Sequence, residues 1–194
     1  SPEDYDKVIG DTKSDISFPY LLTYTLDMSK DKENAIKYIA EKLKLRIINI
    51  PNPEERDRRT CEMDYLENVT PEMFLYLYKH ASFVVTDSYH GTCFAVKFNK
   101  QFISFVNNFR GSLRYRIFDR LKLNNRIFSD PQHIFSSPDI MKPIDFTEAN
   151  NLLEKWGGYA INWLKDAISS PVSNQVKYTD FENYMDCLLY TSPS

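Results

Sequence analysis

Apolar and polar positions along this chain switch between two periods, and the switches mark out its elements. Phe18 to Tyr24 is a compact aromatic and aliphatic run that predicts a strand. From Lys32 to Leu43 the apolar residues Ala35, Ile36, Ile39, Ala40 and Leu43 recur at helical spacing, with Ser29 or Asp31 placed to cap the start. Arg46 to Ile50 predicts a second strand, ended by Pro51-Asn52-Pro53. The stretch Glu54 to Asn68 is charged and aperiodic, which predicts a loop or a frayed helix. Thr70 then caps a helix with Pro71 at its first position and Glu72 behind it. Phe74, Leu75, Leu77 and Tyr78 form the inward face of that helix.

A strand over Phe83–Thr86, a helix from about His90 to Phe98 and a strand over Phe102–Val106 follow in order. A further helix is predicted over Ser112–Leu121. The last, from Thr147 to about Ile168, carries Leu152, Leu153, Trp156, Ala160, Trp163 and Leu164 as its expected core face. Gly157-Gly158 is a weak point within it. Strands alternating with helices predict an α/β fold with a Rossmann-like, doubly wound parallel sheet. The opening Ser1 to Ser17 is polar and predicts a loop. Cys187 to Ser194 reads as a translated sequencing-adapter tail, set aside from fold reasoning.

Composition narrows the field. A length of 194 residues suits one domain of about 150 residues with some extra, or half of a two-domain enzyme. The formal charge of −3 gives no global reason to expect nucleic acid. Charge is local instead: Lys97, Lys100, Arg110, Arg114, Arg116, Arg120, Lys122 and Arg126 face a single acid, Asp119, between positions 97 and 126. Cys61, Cys93 and Cys187 match no zinc or redox spacing, which fits a reducing compartment. Neither a membrane-spanning run nor a signal-peptide start is present, so the expected location is cytoplasmic.

Candidate chemistry gathers in Asp87-Ser88-Tyr89-His90-Gly91-Thr92. A buried strand that turns into a helix delivers these residues to the carboxyl edge of the sheet, where open α/β sheets bind ligands. The helix start attracts a phosphate or carboxylate, Gly91 permits close approach, and Ser88 and Thr92 add donors. His90 is suited to proton transfer near neutral pH, or to holding an anion as a cation. The bland alternative is an Asp or Ser cap followed by a histidine that only packs. Arg110, Arg114 and Arg116 follow the next strand, and guanidiniums bind carboxylate and phosphate in bidentate fashion. Arg120 and Arg126 read as structural or exposed, and His80 and His133 carry no catalytic signal. No dinucleotide or P-loop glycine motif occurs, and no cluster has metal-ligand spacing. No cofactor or metal is therefore expected.

Ala81 to Thr92, with Phe98-Asn99-Lys100-Gln101-Phe102 after it, resembles the signature region of the polysaccharide pyruvyl transferase family. Thr70 to Phe74 is similar to the helix before that signature, and Arg114 to Leu121 to the family's arginine-containing helix. The resemblance covers roughly Phe18 to Ile168. It implies a bacterial enzyme that transfers the pyruvyl group of phosphoenolpyruvate, as a ketal, to hydroxyls of a cell-surface polysaccharide or lipid-linked oligosaccharide. The implied architecture is that of B-type glycosyltransferases, two Rossmann-like domains with the site between them. On that reading residues 1–17 are a linker from a missing N-terminal domain, 18–170 the C-terminal domain and 171–194 a tail. The fragment would be inactive alone, and the enzyme cytoplasmic or peripheral at the inner membrane face.

By the same resemblance His90 is the catalytic histidine. In some members an arginine stands two residues before it; here the position is Ser88, which makes Arg114 or Arg116 the natural substitute for binding the anion. A B-type glycosyltransferase using a nucleotide-sugar donor, or a non-catalytic domain, is the competing reading.

Overall fold

Residues 2–52, 62–107 and 112–169 are described by a computed structural model. The first strand, β1 (Tyr20–Tyr24), leads into α2 (Lys30–Leu43), which follows a short N-terminal helix, α1 (Pro2–Ile9). Helix α2 starts where Ser29 accepts a hydrogen bond from the Lys32 N–H and stops where Lys44 turns left-handed at φ 55°. Between those points it buries Ala35, Ile36, Ile39 and Ala40, the positions its periodicity picks out. Strands β2 (Arg46–Ile50) and β3 (Asp64–Tyr65) come next, then α3 (Pro71–His80), capped by Thr70 as its sequence predicts. The chain continues through β4 (Phe83–Thr86), α4 (Tyr89–Lys97), β5 (Gln101–Phe105) and β6 (Ile127–Phe128).

The strands form one parallel sheet in the order β3-β2-β1-β4-β5-β6. Counting from β1, the order runs one way to β3 and the other way from β4 to β6. With right-handed crossovers, that reversal puts α2 and α4 on opposite faces of the sheet. The sheet buries Leu21, Ile47, Phe83, Val85, Ile103 and Phe105 in one cluster with the apolar face of α2. Both edge strands are only two residues long, which blunts the exposed edges.

The chain divides into two compact units, 1–110 with 125–144, and 111–124 with 145–194; the sheet belongs to the first. The range 18–170, expected as one domain, runs through both. In the second unit, the helix predicted over Ser112–Leu121 begins as a 3₁₀ turn, Ser112–Tyr115, and becomes α-helical only in α5 (Arg116–Arg120). Tyr115 at its start makes no side-chain cap. Helix α6 (Thr147–Ser169) passes through Gly157-Gly158 without a break.

Three expectations are corrected. The opening segment is a loop only after Ile9: Tyr5 and Ile9 share one face of α1, and the Tyr5 ring packs edge-on against Phe94 and Phe98 at 5.8 and 5.6 Å. The charged stretch before Thr70 contains β3, whose partner is β2; residues 53–61 lie outside the described set. The aromatic and aliphatic residues of α6 are not core. Trp163 and Leu164 are 45% and 52% exposed, while Leu152, Leu153, Trp156 and Ala160 are half-buried. Periodicity identifies residues that share a helix face, but says nothing about whether another element covers that face.

Arg126 is structural. Its buried guanidinium donates to the carbonyls of Ile140 and Lys142. The tail from 170 onward lies outside the described residues. Among the described residues no helix is long and apolar enough to cross a membrane.

Candidate functional site

Strand β4 ends at Thr86 and α4 begins at Tyr89, so Asp87 and Ser88 alone make the turn between them. The turn lies where the strand order reverses, because Thr86 pairs in register with Tyr24 at the end of β1. In a doubly wound sheet this switch point opens the crevice that receives ligands. Thr86 ties the two strand ends together: its hydroxyl donates to the Tyr24 carbonyl and accepts from the Ser88 N–H.

The side chains of the turn divide into those that face the protein and those that face out. Asp87 is fully buried. Its carboxylate accepts from the Leu26 N–H at 2.6 Å, the Asp27 N–H at 3.2 Å and the Lys32 ammonium at 2.7 Å. Lys32 Nζ also donates to the Asp27 carbonyl at 2.7 Å. Asp87 thus fastens the loop after β1 to the turn after β4. Asp87, expected among the substrate-binding residues, is a buried carboxylate that serves two N–H groups and an ammonium.

Thr92 is also fully buried, donating to the Ser88 carbonyl at 3.0 Å and meeting the Ser104 hydroxyl at 2.7 Å. Its described partners are thus within the fold. Ser88 Oγ accepts from the Gly91 N–H at 3.3 Å, so this buried serine is the helix cap. Gly91 is required from the inside: a Cβ there would lie 2.5 Å from the Tyr78 hydroxyl and 2.6 Å from Thr86 Oγ1. Close approach is the reason for the glycine, as expected, but the approaching groups are the protein's own.

Tyr89 and His90 remain on the outer side. Tyr89 is half-buried and His90 exposed, their rings meeting edge-on at 5.8 Å. His90 therefore stands in the first turn of α4, where the helix dipole favours an anion. Burial pushes the neighbouring Cys93 thiol up, against a hydrogen bond from Tyr89 that lowers it, so Cys93 is a protonated packing residue. One turn after His90, Phe94 packs on Phe74 at 5.8 Å, and Phe74 meets Tyr24 edge-on at 5.3 Å.

Tyr24 and Phe74 border a cavity of about 260 Å³ over the ends of β1 and β2, with Glu67 and Asn68 also on its wall. Sequence reasoning missed this cavity because Glu67 and Asn68 fall in the stretch read as irregular. It also missed Lys32. A lysine in the first turn of a helix opposes the dipole, and that misplacement is the signal that a buried counter-ion holds it.

Of the arginines, Arg110 lies outside the described residues. Arg114, half-buried in the 3₁₀ turn, and Arg116, exposed at the start of α5, belong to the second unit, whereas Asp87 to Thr92 belong to the first.

Comparison with known proteins adds to this geometry. The sequence model of the family described as polysaccharide pyruvyl transferase matches residues 4–108, more than half of the chain. The match takes in most of α1 and the whole His90 turn and stops before Arg114. No match is found among curated proteins. Among solved structures, a UDP-GlcNAc 2-epimerase from Methanocaldococcus jannaschii, in complex with UDP-GlcNAc and UDP, superposes with a TM-score of 0.56 at 15% identity. The superposition covers 81% of this chain and 52% of that one. The S. aureus MnaA–UDP structure gives a TM-score of 0.49 at 15% identity, over 86% of this chain and 52% of that one. This chain thus spans about half the length of the structures it matches, and the likeness is one of fold: a parallel α/β sheet like that in half of a B-type glycosyltransferase-like enzyme.

Proposed function

The chain belongs to the polysaccharide pyruvyl transferase family, and from that premise we propose that it serves to move the pyruvyl group of phosphoenolpyruvate onto two hydroxyls of a saccharide as a ketal. The observation that carries this reading is the exposure of His90 on a rigidly mounted helix start at the switch point of the sheet. Every neighbour that could move the helix start is tied down: Asp87, Ser88, Gly91 and Thr92 all face inward. The His90 imidazole, beside the half-buried Tyr89, stands out toward a reactant.

The reaction needs three things. The methylene carbon of phosphoenolpyruvate takes a proton and becomes the methyl group. The C2 centre, oxocarbenium-like, is attacked in turn by two acceptor hydroxyls, each of which loses a proton. The C2–O bond to phosphate breaks, and phosphate leaves with the second of those protons. His90 is the proposed proton carrier, a role worth about a hundred- to ten-thousand-fold in rate. The N-terminus of α4 is the proposed seat for one anionic group of the donor. Ser88 stands where some members have arginine and is occupied as the cap, so the proposal assigns the second anionic group to Arg110, Arg114 or Arg116. A second Rossmann-like domain facing this edge would complete the site, as the family resemblance implies.

The test is His90→Ala in the full-length enzyme. Turnover should fall at least about a hundredfold while thermal unfolding stays put; near-normal turnover would overturn the assignment. In parallel, a chemical-shift titration of this chain with phosphoenolpyruvate should perturb Ser88 to Thr92. A response to a nucleotide-diphosphate sugar alone would move the reading to glycosyl transfer.

A further inference from the structure

The cavity beside the histidine turn has a chemistry that the donor does not account for. Its volume, about 260 Å³, is just below the range of about 300–1,000 Å³ usual for drug-sized ligands, so it suits a single ring. Tyr24 and Phe74 give it two aromatic walls, and Leu66 and Val69 add aliphatic surface. Glu67 and Asn68 bring a carboxylate and an amide. Among the described residues no lysine or arginine lines it, and Glu67 repels anions, so the described lining suits neither phosphoenolpyruvate nor a nucleotide diphosphate. A neutral ring with an apolar face and several hydroxyls does.

The wall that carries the polar groups is held on both sides. Leu66 N–H donates to the Asn49 carbonyl at 2.9 Å, continuing the β2–β3 pairing. Thr70 caps α3 by accepting from Met73 N–H. Between them Asn68 sits at φ 55°, a left-handed conformation that asparagine tolerates better than most residues. The position relative to the histidine is also fixed. Phe74 touches Phe94, which lies four residues after His90 and so on the same face of α4.

We propose that this cavity is an acceptor subsite that holds one pyranose ring, its C–H face against Tyr24 and Phe74 and its hydroxyls on Glu67 and Asn68. The inference rests on the pyruvyl-transfer reading for the identity of the sugar as acceptor. It assigns part of acceptor recognition to this unit.

The experiment is a chemical-shift titration of the chain with the methyl β-pyranosides of galactose, glucose and mannose, with uridine monophosphate alongside. Saturable shifts at Glu67, Asn68, Val69 and the rings of Tyr24 and Phe74 are expected with at least one glycoside. Glu67→Gln and Asn68→Gly should each weaken that binding about tenfold. Glycine is the chosen replacement because it keeps the left-handed backbone. Silence toward all three glycosides, uridine monophosphate filling the cavity in their place, or unchanged binding in both variants would overturn the subsite. A phosphoenolpyruvate response around His90 without a glycoside response removes the subsite and leaves the pyruvyl-transfer reading standing. Glycoside shifts without any phosphoenolpyruvate response support the subsite and count against pyruvyl transfer.

Discussion

Gly91→Ala tests whether the histidine turn is shaped by its own packing. The added methyl would meet the Tyr78 hydroxyl at 2.5 Å and Thr86 Oγ1 at 2.6 Å, and both side chains are fully buried. Neither can swing away without moving α3 or the end of β4. Overpacking of this kind costs about 1–3 kcal/mol. Alanine regains up to about 1 kcal/mol over glycine within a helix. The net loss should therefore be about 1–2 kcal/mol, or a fall of about 2–8 °C in Tm for a chain of this size. Urea unfolding followed by circular dichroism should show a lower midpoint at an unchanged slope. The same substitution made in a Tyr78→Phe background, where the 2.5 Å contact atom is gone, should cost about 1 kcal/mol less. A Gly91→Ala chain as stable as the parent would refute the reasoning. So would an identical penalty in both backgrounds.

Two further outcomes follow from the buried charges. Asp87→Ala should destabilise the chain by about 3–5 kcal/mol, because it strands the Lys32 ammonium, whose side chain is only 10% exposed. Urea denaturation measures this, and a loss below about 1 kcal/mol would mean that the clamp between the two loops is ornamental. Burial alone would raise the Glu33 carboxyl, but hydrogen bonds from Lys37 and Lys30 outweigh it and hold the pKa below the usual glutamate value. A folded value below the unfolded one contributes stability above the ordinary pKa of about 4.3, and that stability drains away as pH falls through the folded value. Glu33→Gln should accordingly be less stable than the parent at neutral pH, with the gap closing in acid. A gap that does not vary with pH would contradict this.

How much of this was legible in the sequence depends on which physical effect each residue obeys. The strand–turn–helix around His90 was legible because local signals agree: a β-branched run, a serine cap and a short turn. The caps at Ser29 and Thr70 were legible for the same reason. The parallel, doubly wound sheet also followed from the alternation of strands and helices. The direction in which each side chain of the turn points did not. Asp87 and Thr92 looked like ligand contacts because their partners, Leu26, Asp27, Lys32 and Ser104, are distant in sequence and nothing local announces them. Strand β3 escaped notice because it is two residues long and takes its order from β2, not from its own composition. Helix α1 escaped because Tyr5 and Ile9 are too few to raise a periodic signal above a polar background.

The inward commitment of Asp87, Ser88, Gly91 and Thr92 separates two kinds of heredity within one short motif. Selection for a chain that folds would preserve those four positions whether or not any reaction takes place. On the proposed function, only selection for the reaction would preserve the imidazole beside them. A descendant that lost its chemistry could drift at His90 and still display most of the signature, so a motif match alone reports ancestry. Under the proposed function, the outward-facing His90 reports livelihood.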